Sequence, residues 1–388
     1  MIDLNRHTLI LTLLASILIS CGSNSREERS EYTLDVTDEF QQYHIQADAR
    51  AVRLPDLVEH MTIVKLEETD ESLLNRTSNL FVNEEVMITS DPRNGDFYIF
   101  DRSGNFKTHF NHIGNGPEQY ARAWGFWVEG ELIRINDPAN SAVIDFDMDG
   151  NFVGRIELPY SPNHIIGDGE SIWLEVSTTY VRDSVMAQLS KYNPKQGTDS
   201  LFLLQKLRGR FDMPSTMNSF SYYEGNILYK RFLSDSTYMI KDGSVYPFAL
   251  IEFDEGFLWN DAEALDYEYQ QGYDAMNTSG KVWQVWPFYG RDWVYMRYHT
   301  TMTDAKYQFI NRRTGEQFHL KDIIVGEETI HLNARLSYEN QMVMAVSSDH
   351  ITELLEYFDA SQYSFAEGSS LEEIESSENP VILFMKFR

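Results

Sequence analysis

Three aspartates alternate along one short segment, in the order found at the start of a calcium-binding loop. Asp145, Asp147 and Asp149 precede Gly150 and spell D-x-D-x-D-G, the opening of an EF-hand loop. An EF-hand also needs a bidentate Glu at position 12 of the loop, where this chain has Ile156, and a helix on each side. Here the flanking residues have a strand pattern, and Asp-Gly is a strong hairpin signal. We therefore predict a hairpin turn, with a Ca²⁺ site on the three aspartates as the alternative.

The short motifs of common metal-dependent and nucleophilic enzymes are missing from the sequence. There is no H-E-x-x-H, H-x-x-E-H or Cys/His metal pattern, and no G-x-S-x-G nucleophile elbow. His109 and His112 are three residues apart, which places them on opposite faces of an extended strand. The 60 acidic residues are so many that a carboxylate pair for acid–base chemistry could be drawn anywhere. No catalytic residue is assigned.

Residues 113–120 form a loop whose composition predicts a rigid, shaped connection between two strands. Gly114 and Gly116 allow a positive φ, and the proline that follows them fixes its own φ. Backbone N–H groups beside glycines can form an anion-binding nest, so Glu118 and Tyr120 are candidate ligand-binding residues. The alternative is a structural turn, in which Tyr120 packs and Glu118 caps the backbone.

Aromatic residues are concentrated in and after a long interval around Asp254–Val282, which is more than a minimal repeat of the fold requires. Aromatic side chains on such an insertion could stack sugars or anchor a protein partner. The alternative is a longer loop packed on itself. The candidate ligand-binding aromatics are Trp283, Trp286, Tyr289 and Trp293.

The N-terminus has the pattern of an exported bacterial protein. An apolar run from Leu9 to Ile19 follows Arg6, and it is too short to span a bilayer comfortably. Residues 18–21 resemble the bacterial lipobox, which implies cleavage before Cys21 and lipidation of its thiol. The alternative is an ordinary secretion signal followed by an incidental cysteine. We predict a signal peptide over 1–20 and a lipidated, flexible tether over 21–50.

Composition restricts the partners of the protein. The chain has 388 residues, a formal net charge of −28 and a pI of about 4.6. Such a charge argues against nucleic acid and against electrostatic binding to anionic lipid. Cys21 is the one cysteine, which excludes an internal disulfide. The aromatic content of 13%, together with Gly, Asn and Asp at turns, favours an all-β fold.

Repeated hairpins define the predicted architecture. Each consists of β-branched and aromatic runs around a small polar turn. The six first hairpins are Asn79–Ser90, Gly125–Asp137, Ile165–Val176, Ser221–Phe232, Pro287–Tyr298 and Leu336–Val346. A second hairpin follows most of them. Four antiparallel strands per repeat predict a six-bladed β-propeller over 51–388.

The last strand-like segment, Asn379–Phe387, has no hairpin partner nearby in the sequence. We predict that it closes the ring by pairing with strands near one terminus, Ile63–Glu67 among them. Closure of this kind replaces two exposed strand edges with hydrogen bonds.

Three short stretches resemble the six-bladed β-propeller lipoproteins of Bacteroidetes. They are Val64–Leu73, Phe106–Tyr120 with its Gly-x-Gly-Pro motif, and Glu378–Val381. The chain departs from the family pattern at Gln119, where the family more often has Glu. The resemblance implies the propeller fold and a location at the outer membrane. It implies no reaction and no catalytic residue.

The sequence thus favours a propeller held at the outer membrane by its lipid, facing the periplasm or the cell surface, that binds a ligand or scaffolds an envelope protein partner without catalysis. A glycan is the other partner considered. The alternative function is a glycan-active hydrolase or lyase with its site at the propeller channel, an expectation from the fold alone. No cofactor is expected besides the alternative Ca²⁺.

Overall fold

Polar turns and alternating apolar strands fold into successive antiparallel sheets, each of which is one blade of a β-propeller. The structure is a computed structural model that describes residues 40–74, 77–176, 180–182, 185–204, 217–321, 323–325, 328–330 and 334–388. The N-terminal elements that precede the first blade are β1 (Gln41–Ile45), β2 (Arg50–Val52), α1 (Leu54–Leu57) and β3 (Val58–Lys65).

The first three blades follow directly. Blade 1 contains β4 (Asn79–Val82), β5 (Val86–Asp91), β6 (Asp96–Asp101) and β7 (Phe106–Asn111). Blade 2 contains β8 (Gly125–Glu129), β9 (Leu132–Asp137), β10 (Ala142–Asp147) and β11 (Phe152–Glu157). Blade 3 contains β12 (His164–Asp168), β13 (Ser171–Glu175), the short β14 (Tyr180–Arg182), β15 (Val185–Asn193) and β16 (Thr198–Leu204).

Blades 4 and 5 each gain a strand from the N-terminal segment. Blade 4 contains β17 (Phe220–Tyr223), β18 (Asn226–Lys230), β19 (Ser236–Lys241) and β20 (Ser244–Phe253), with β1 parallel to β20. An insertion follows, with 3₁₀ turns at Leu258–Asn260 and Ala264–Asp266 and the helix α2 (Tyr269–Thr278). Blade 5 contains β21 (Gln284–Tyr289), β22 (Trp293–His299), β23 (Ala305–Asn311) and β24 (Gln317–Leu320), with β2 parallel to β24.

Blade 6 combines the C-terminal strands with β3 from the N-terminal segment. A small hairpin precedes it, formed by β25 (Ile323–Val325) and β26 (Glu328–Ile330). The elements that follow are β27 (Ala334–Tyr338), β28 (Gln341–Val346), a 3₁₀ turn (Ser348–His350), α3 (Ile351–Leu355), β29 (Tyr363–Phe365), α4 (Leu371–Glu375) and β30 (Val381–Phe387). The strand order in the sheet is β27-β28-β30-β3-β29.

Ring closure occurs where the sequence predicts it. β3 pairs antiparallel with β30, and Ile63 lies opposite Leu383. β3 is the outer of these two strands, and β29 then adds to it in parallel. The prediction that the last strand pairs with Ile63–Glu67 is confirmed for Ile63–Lys65.

The all-β, six-bladed fold is also confirmed, with one refinement. Blades 3, 4, 5 and 6 have a fifth strand, which the four-stranded expectation did not include. β1 lies inside the segment assigned to the flexible tether, so the propeller begins at Gln41 and not at residue 51. Both N-terminal additions run parallel to the outer strand of their blade and cover its edge, which protects that edge from pairing with other chains.

The first turns of blades 4 and 6 are tight, and local sequence explains them. In blade 4, Glu224 and Gly225 have φ of 47° and 76°, and in blade 6, Glu339 and Asn340 have φ of 47° and 63°. Two consecutive residues with positive φ are typical of a type I′ hairpin turn, whose twist matches that of the strands. These turns bring the second strand of the blade directly beside the innermost one.

The hydrophobic core lies between neighbouring blades. One cluster joins blades 1 and 2 and includes Phe97, Tyr120 and Phe146. Others join blades 4 and 5, blades 5 and 6, and blades 6 and 1. Packing of sheet against sheet around a ring leaves the innermost strands lining a central channel.

Candidate functional site

The central channel contains two cavities that share part of their lining, and we call this shared region the waist. The innermost strands of all six blades line it. We call the end with the turns between second and third strands the upper end, and the end with the first turns of the blades the lower end. The upper cavity measures about 1060 Å³ and the lower about 810 Å³. Residues that line both cavities are Ser78, Asn79, Phe126, Ile165, Asn218 and Arg335.

The upper cavity is basic, although the protein as a whole is strongly acidic. Arg93, Arg122 and Arg335 line it, and His164 lies in its wall. Among the described residues that line it, Glu378 is the one carboxylate. Three guanidinium groups therefore surround one depression in a chain with 60 acidic and 32 basic residues. Cations gathered in a cleft concentrate a positive potential there.

Backbone contacts to buried aspartates fix the loops that hold the first two arginines. The N–H of Arg93 donates to Oδ1 of Asp91 at 3.0 Å, and the N–H of Arg122 donates to Oδ1 of Asp137 at 3.2 Å. Both aspartates are buried. The guanidinium of Arg122 lies over the ring of Trp124, 4.1 Å from its centroid. The aspartates therefore accept hydrogen bonds from the backbone of these loops, which leaves the arginine side chains to line the cavity.

Arg335 reaches the cavity from β27, at the waist of the channel. Its Nη1 donates to the carbonyl of Ser78 at 3.3 Å, and its surface is exposed to the channel. The side chain is accessible from the channel, but the protein walls around its guanidinium desolvate it and lower the pKa of Arg335, and the positive charge of Arg297 lowers it further. The environment therefore disfavours this charge, and an anion that entered the channel would stabilise it.

Asn136 adds an unpartnered amide to the upper cavity. It lies on β9, lines the cavity and is fully buried. Neither its Nδ2 nor its Oδ1 has a hydrogen-bond partner among the described residues. Because buried polar groups are nearly always paired, an amide of this kind marks a position for a polar ligand atom or an ordered water.

A buried acid lies behind the wall of the upper cavity. Glu175 accepts hydrogen bonds from Ser219 Oγ at 2.9 Å and from Tyr229 Oη at 3.4 Å. Nε2 of His164 lies 3.9 Å from Oε2 of Glu175. Burial raises the pKa of Glu175 to about 7, although both hydrogen bonds oppose the shift. A carboxyl group that titrates near neutral pH therefore lies directly behind His164.

The lower cavity has a different character. Its walls are largely aromatic, and its mouth is formed by acidic first turns. The aromatic residues are Phe81, Phe126, Trp127, Phe220, Tyr222, Trp286, Phe288 and Tyr338. The acidic residues are Glu84, Glu85 and Glu339. Lys230 also lines this cavity, as one of its two basic residues together with Arg335.

Of the four candidate aromatics, the structure places one at the channel. Trp286 on β21 lines the lower cavity. Trp283 donates from Nε1 to the carbonyl of Thr301 at 3.0 Å, and Trp293 donates to that of Asn340 at 2.8 Å. Both indoles belong to the core between blades. Trp286 and Tyr289 are three positions apart on β21, so strand alternation directs their side chains to opposite faces of the sheet.

Tyr289 is also a core residue. Its Oη forms a hydrogen bond of 3.1 Å with Thr237 Oγ1, and burial raises its pKa. The long insertion before these aromatics folds against blades 4 and 5 and buries Trp259 and Met276. On α2, the rings of Tyr269 and Tyr273 stack 6.5 Å apart and remain exposed.

The loop at 113–120 is held by internal hydrogen bonds. Tyr120 is fully buried, and its Oη donates to the carbonyl of Gly95 at 2.6 Å and accepts from the N–H of His112 at 2.9 Å. Oε1 of Gln119 accepts from the N–H of Gly116 at 2.8 Å. Glu118 is exposed on the outside of the loop and does not line either channel cavity. The structure therefore separates Glu118 and Tyr120 from each other and from the channel.

The aspartate segment forms the predicted hairpin turn between β10 and β11. Asp147 accepts from the backbone N–H groups of Asp149 and Asn151, and Asp145 accepts two hydrogen bonds from Arg134. No three Asp, Glu, His or Cys side chains are placed to share a metal ion in the part of the chain that the structure describes. In this arrangement the three aspartates do not converge on one point, because Asp145 is paired with Arg134 and Asp147 caps the turn.

Sequence reasoning missed the channel residues Arg93, Arg122, Asn136, Lys230 and Arg335. Their signal is slight. Lys230 and Arg335 are basic residues next to apolar strand residues. Arg93 and Arg122 lie on either side of the glycine-rich loop in the sequence, which does not by itself indicate a shared site. The tertiary structure brings them together from four blades. Cys21 lies outside the described residues, so its lipidation stays a prediction.

Comparison with known sequences identifies the family. Residues 33–386 match a family described as a domain of unknown function, DUF4934. The chain belongs to this family. No curated protein matches it in sequence. Within the described residues, no helix has the length and apolarity needed to cross a bilayer.

Two solved structures with a similar fold come from Bacteroides. A Bacteroides fragilis protein presumed to be exported has a TM-score of 0.70 at 14% identity, over 90% of this chain and 99% of that one. A member of the DUF4221 family from Bacteroides vulgatus has a TM-score of 0.50 at 11% identity, over 86% of this chain and 98% of that one. At these identities, the similarity establishes the fold alone.

Proposed function

We propose that this family member is an exported binding protein of the bacterial envelope, which holds an anionic ligand at the upper end of its channel and catalyses no reaction. The observation that carries the proposal is the set of three arginines around the upper cavity, Arg93, Arg122 and Arg335. In so acidic a protein, solubility does not call for a local group of cations, whereas recognition of an anion does.

The chemistry of the cavity suggests the kind of anion. Guanidinium groups bind carboxylate and sulfate oxygens in a bidentate geometry. The indole of Trp124 and the unpartnered amide of Asn136 add an aromatic face and a polar group for a sugar ring. We therefore propose an acidic oligosaccharide as the ligand class. A volume of about 1060 Å³ accommodates a short one.

The alternative, a glycan-active hydrolase or lyase, has less support. Glycoside hydrolysis ordinarily uses two carboxyl groups that flank the scissile bond. Among the described residues that line the upper cavity there is one, Glu378, and the three glutamates of the lower cavity lie in exposed turns at its mouth. Glu175 is buried behind His164 and its carboxylate is already hydrogen-bonded to Ser219. A rigid channel with anchoring cations is better suited to binding.

Calorimetric titration with acidic and neutral oligosaccharides tests this proposal. Oligogalacturonides are the acidic probes, and neutral oligosaccharides of the same length are the controls. Arg335→Gln should weaken the acidic ligand by about tenfold or more, because it removes a charged hydrogen bond. Arg155→Gln, on the outer strand of blade 2, makes the same charge change away from the channel and should have little effect.

Three results would count against binding at this cavity. They are equal affinities for acidic and neutral oligosaccharides, an equal loss in the Arg155 and Arg335 variants, and no measurable binding of any acidic probe. Shortened oligosaccharides in the mass spectrum after incubation would instead favour the glycan-active enzyme.

We also propose that Cys21 anchors the protein in the outer membrane through its lipid. The lipobox-like residues before it and the presumed export of the Bacteroides fragilis structure support this location. Metabolic labelling with an alkyne fatty acid tests it. Cys21→Ala should abolish labelling and release the protein from the membrane fraction. Labelling that persists in this variant would disprove the anchor.

A further inference from the structure

Lys230 is a buried amine that lines the lower cavity. It ends β18, the second strand of blade 4, and its backbone N–H donates to the carbonyl of Ser219 at 2.8 Å. The residue is 4% exposed. Its Nζ lies 4.7 Å from the centroid of the Phe288 ring and 5.1 Å from that of the Trp286 ring. An apolar, aromatic corner of the cavity therefore contains an amine.

No carboxylate among the described residues pairs with this amine. Its interactions there are the two ring contacts, and burial alone lowers its pKa to about 7. Burial of a lone cation costs several kcal/mol, so natural proteins seldom leave one without a partner. Cation–π contacts offset about 0.5–2 kcal/mol of that cost. An incoming carboxylate would supply the missing partner.

The mouth of the same cavity has the opposite charge. Glu84 and Glu85 belong to the first turn of blade 1, and Glu339 belongs to that of blade 6. Aromatic walls separate these acids from the corner that contains Lys230. The lower cavity thus has a buried amine at its inner end, apolar aromatic walls, and carboxylates at its opening.

We infer that the lower cavity binds a short, apolar peptide with free termini, whose carboxylate contacts Lys230 and whose ammonium group lies among Glu84, Glu85 and Glu339. Its apolar side chains would pack against Trp286 and Phe288. This charge arrangement matches a zwitterion, whereas a simple anion would be repelled at the mouth and a simple cation at depth. A cavity of about 810 Å³ accommodates two or three residues. This site is separate from the arginines of the proposed function, apart from Arg335 at the waist.

Titration calorimetry with the dipeptide Leu-Phe tests the inference on the intact protein. The C-amidated and N-acetylated forms remove one terminal charge each. Measurements slightly below neutral pH keep Lys230 protonated, given its pKa of about 7. Amidation should weaken binding about tenfold or more, the value of a charged hydrogen bond in a dry site. Acetylation should weaken it about two- to fivefold, because the glutamates at the mouth are exposed to solvent.

Protein variants then locate each terminus. Lys230→Met roughly preserves the side-chain volume and the apolar contacts but removes the amine. This variant should bind the free and the C-amidated dipeptide with equal affinity. Lys241→Met removes an exposed lysine from β19 of the same blade and should keep the discrimination of the wild type. The double variant Glu84→Gln, Glu339→Gln should reduce the effect of N-acetylation.

Equal affinities of the wild type for free and amidated dipeptides would overturn the inference without any variant. So would the absence of measurable binding of Leu-Phe, or the same discrimination in the Lys230 and Lys241 variants. The oligogalacturonide titration addresses the upper cavity, and Arg335 is the one basic residue that the two cavities share.

Discussion

Ile63, near the beginning of the described chain, lies directly opposite Leu383, near its end, in the antiparallel pair that closes the ring. Both side chains are fully buried in the core of blades 5 and 6. β30, which contains Leu383, has a neighbour on each side, β28 and β3. The ends of the propeller are thus held together by a central strand, and its hydrogen bonds decide whether six blades close.

A proline in β30 should open the ring. Leu383→Pro removes a ladder N–H and a buried side chain from a central strand, so we expect a loss of about 3 kcal/mol or more in the free energy of unfolding. The control is Val153→Pro in β11, where Val153 is exposed, on the outer strand, and skipped by the pairing with β10. Chemical denaturation measures both, and similar losses would contradict the closure argument.

Stability should fall with rising pH on the acidic side of neutrality because of Glu175. Burial raises its pKa from 4.5 to about 7, so the folded protein retains a proton that the unfolded chain releases. The stabilisation is complete below pH 4.5 and is lost as pH rises to 7. The loss is of the order of 3 kcal/mol.

Urea denaturation at several pH values between 4.5 and 7 measures the slope of the free energy of unfolding against pH. Glu175→Gln cannot ionise and should flatten it. Glu157→Gln, which removes an exposed carboxylate from the outer strand of blade 2, should keep the slope of the wild type. An unchanged slope in the Glu175 variant would show that another group titrates.

Lys230 predicts the opposite trend on the alkaline side. Burial lowers its pKa from 10.5 to about 7, so in this window the unfolded chain binds a proton that the folded protein does not. The free energy of unfolding should therefore rise with pH above 7, by roughly 5 kcal/mol over the full window. Lys230→Met should abolish the rise, and Lys241→Met should retain it. Denaturation at two pH values above neutrality distinguishes the variants, and a rise that survives in Lys230→Met would refute the assignment.

Tyr120 should prove structural. Tyr120→Phe leaves the carbonyl of Gly95 and the N–H of His112 without their partner inside the protein. Each unpaired buried group costs about 1–3 kcal/mol, so the melting temperature should drop by several degrees. Tyr273→Phe on α2, where the ring is exposed, is the control. Ligand binding at the channel should not change in either variant, and an unaltered melting temperature for Tyr120→Phe would contradict the packing role.

The strands and turns of this protein were predictable from its sequence because they are local. Glu224-Gly225 and Glu339-Asn340 adopt the positive φ of tight hairpin turns, and the β-branched and aromatic runs around them predict the strands. Even the closing pair was predictable, since a strand without a local partner must find a distant one. The fifth strands were not, because β1 and β2 are short and their sequence has no clear period.

The candidate site depended on tertiary structure. Aromatic residues and a glycine-rich loop attract attention in a sequence, yet Trp283, Tyr289, Trp293 and Tyr120 are used for packing between blades. Whether an aromatic ring faces a channel or a neighbouring sheet depends on contacts distant in sequence, which no local pattern records.

The sequence by itself determined the charge, the hairpins and the number of blades, since these follow from composition and from short-range backbone preferences. Only the tertiary structure decided that Arg93, Arg122 and Arg335 share one cavity and that Lys230 has no carboxylate beside it among the described residues. The physical reason is that blades pack around an axis. Residues that are far apart in the sequence become neighbours at this axis. The role of each charged group depends on which other groups lie beside it.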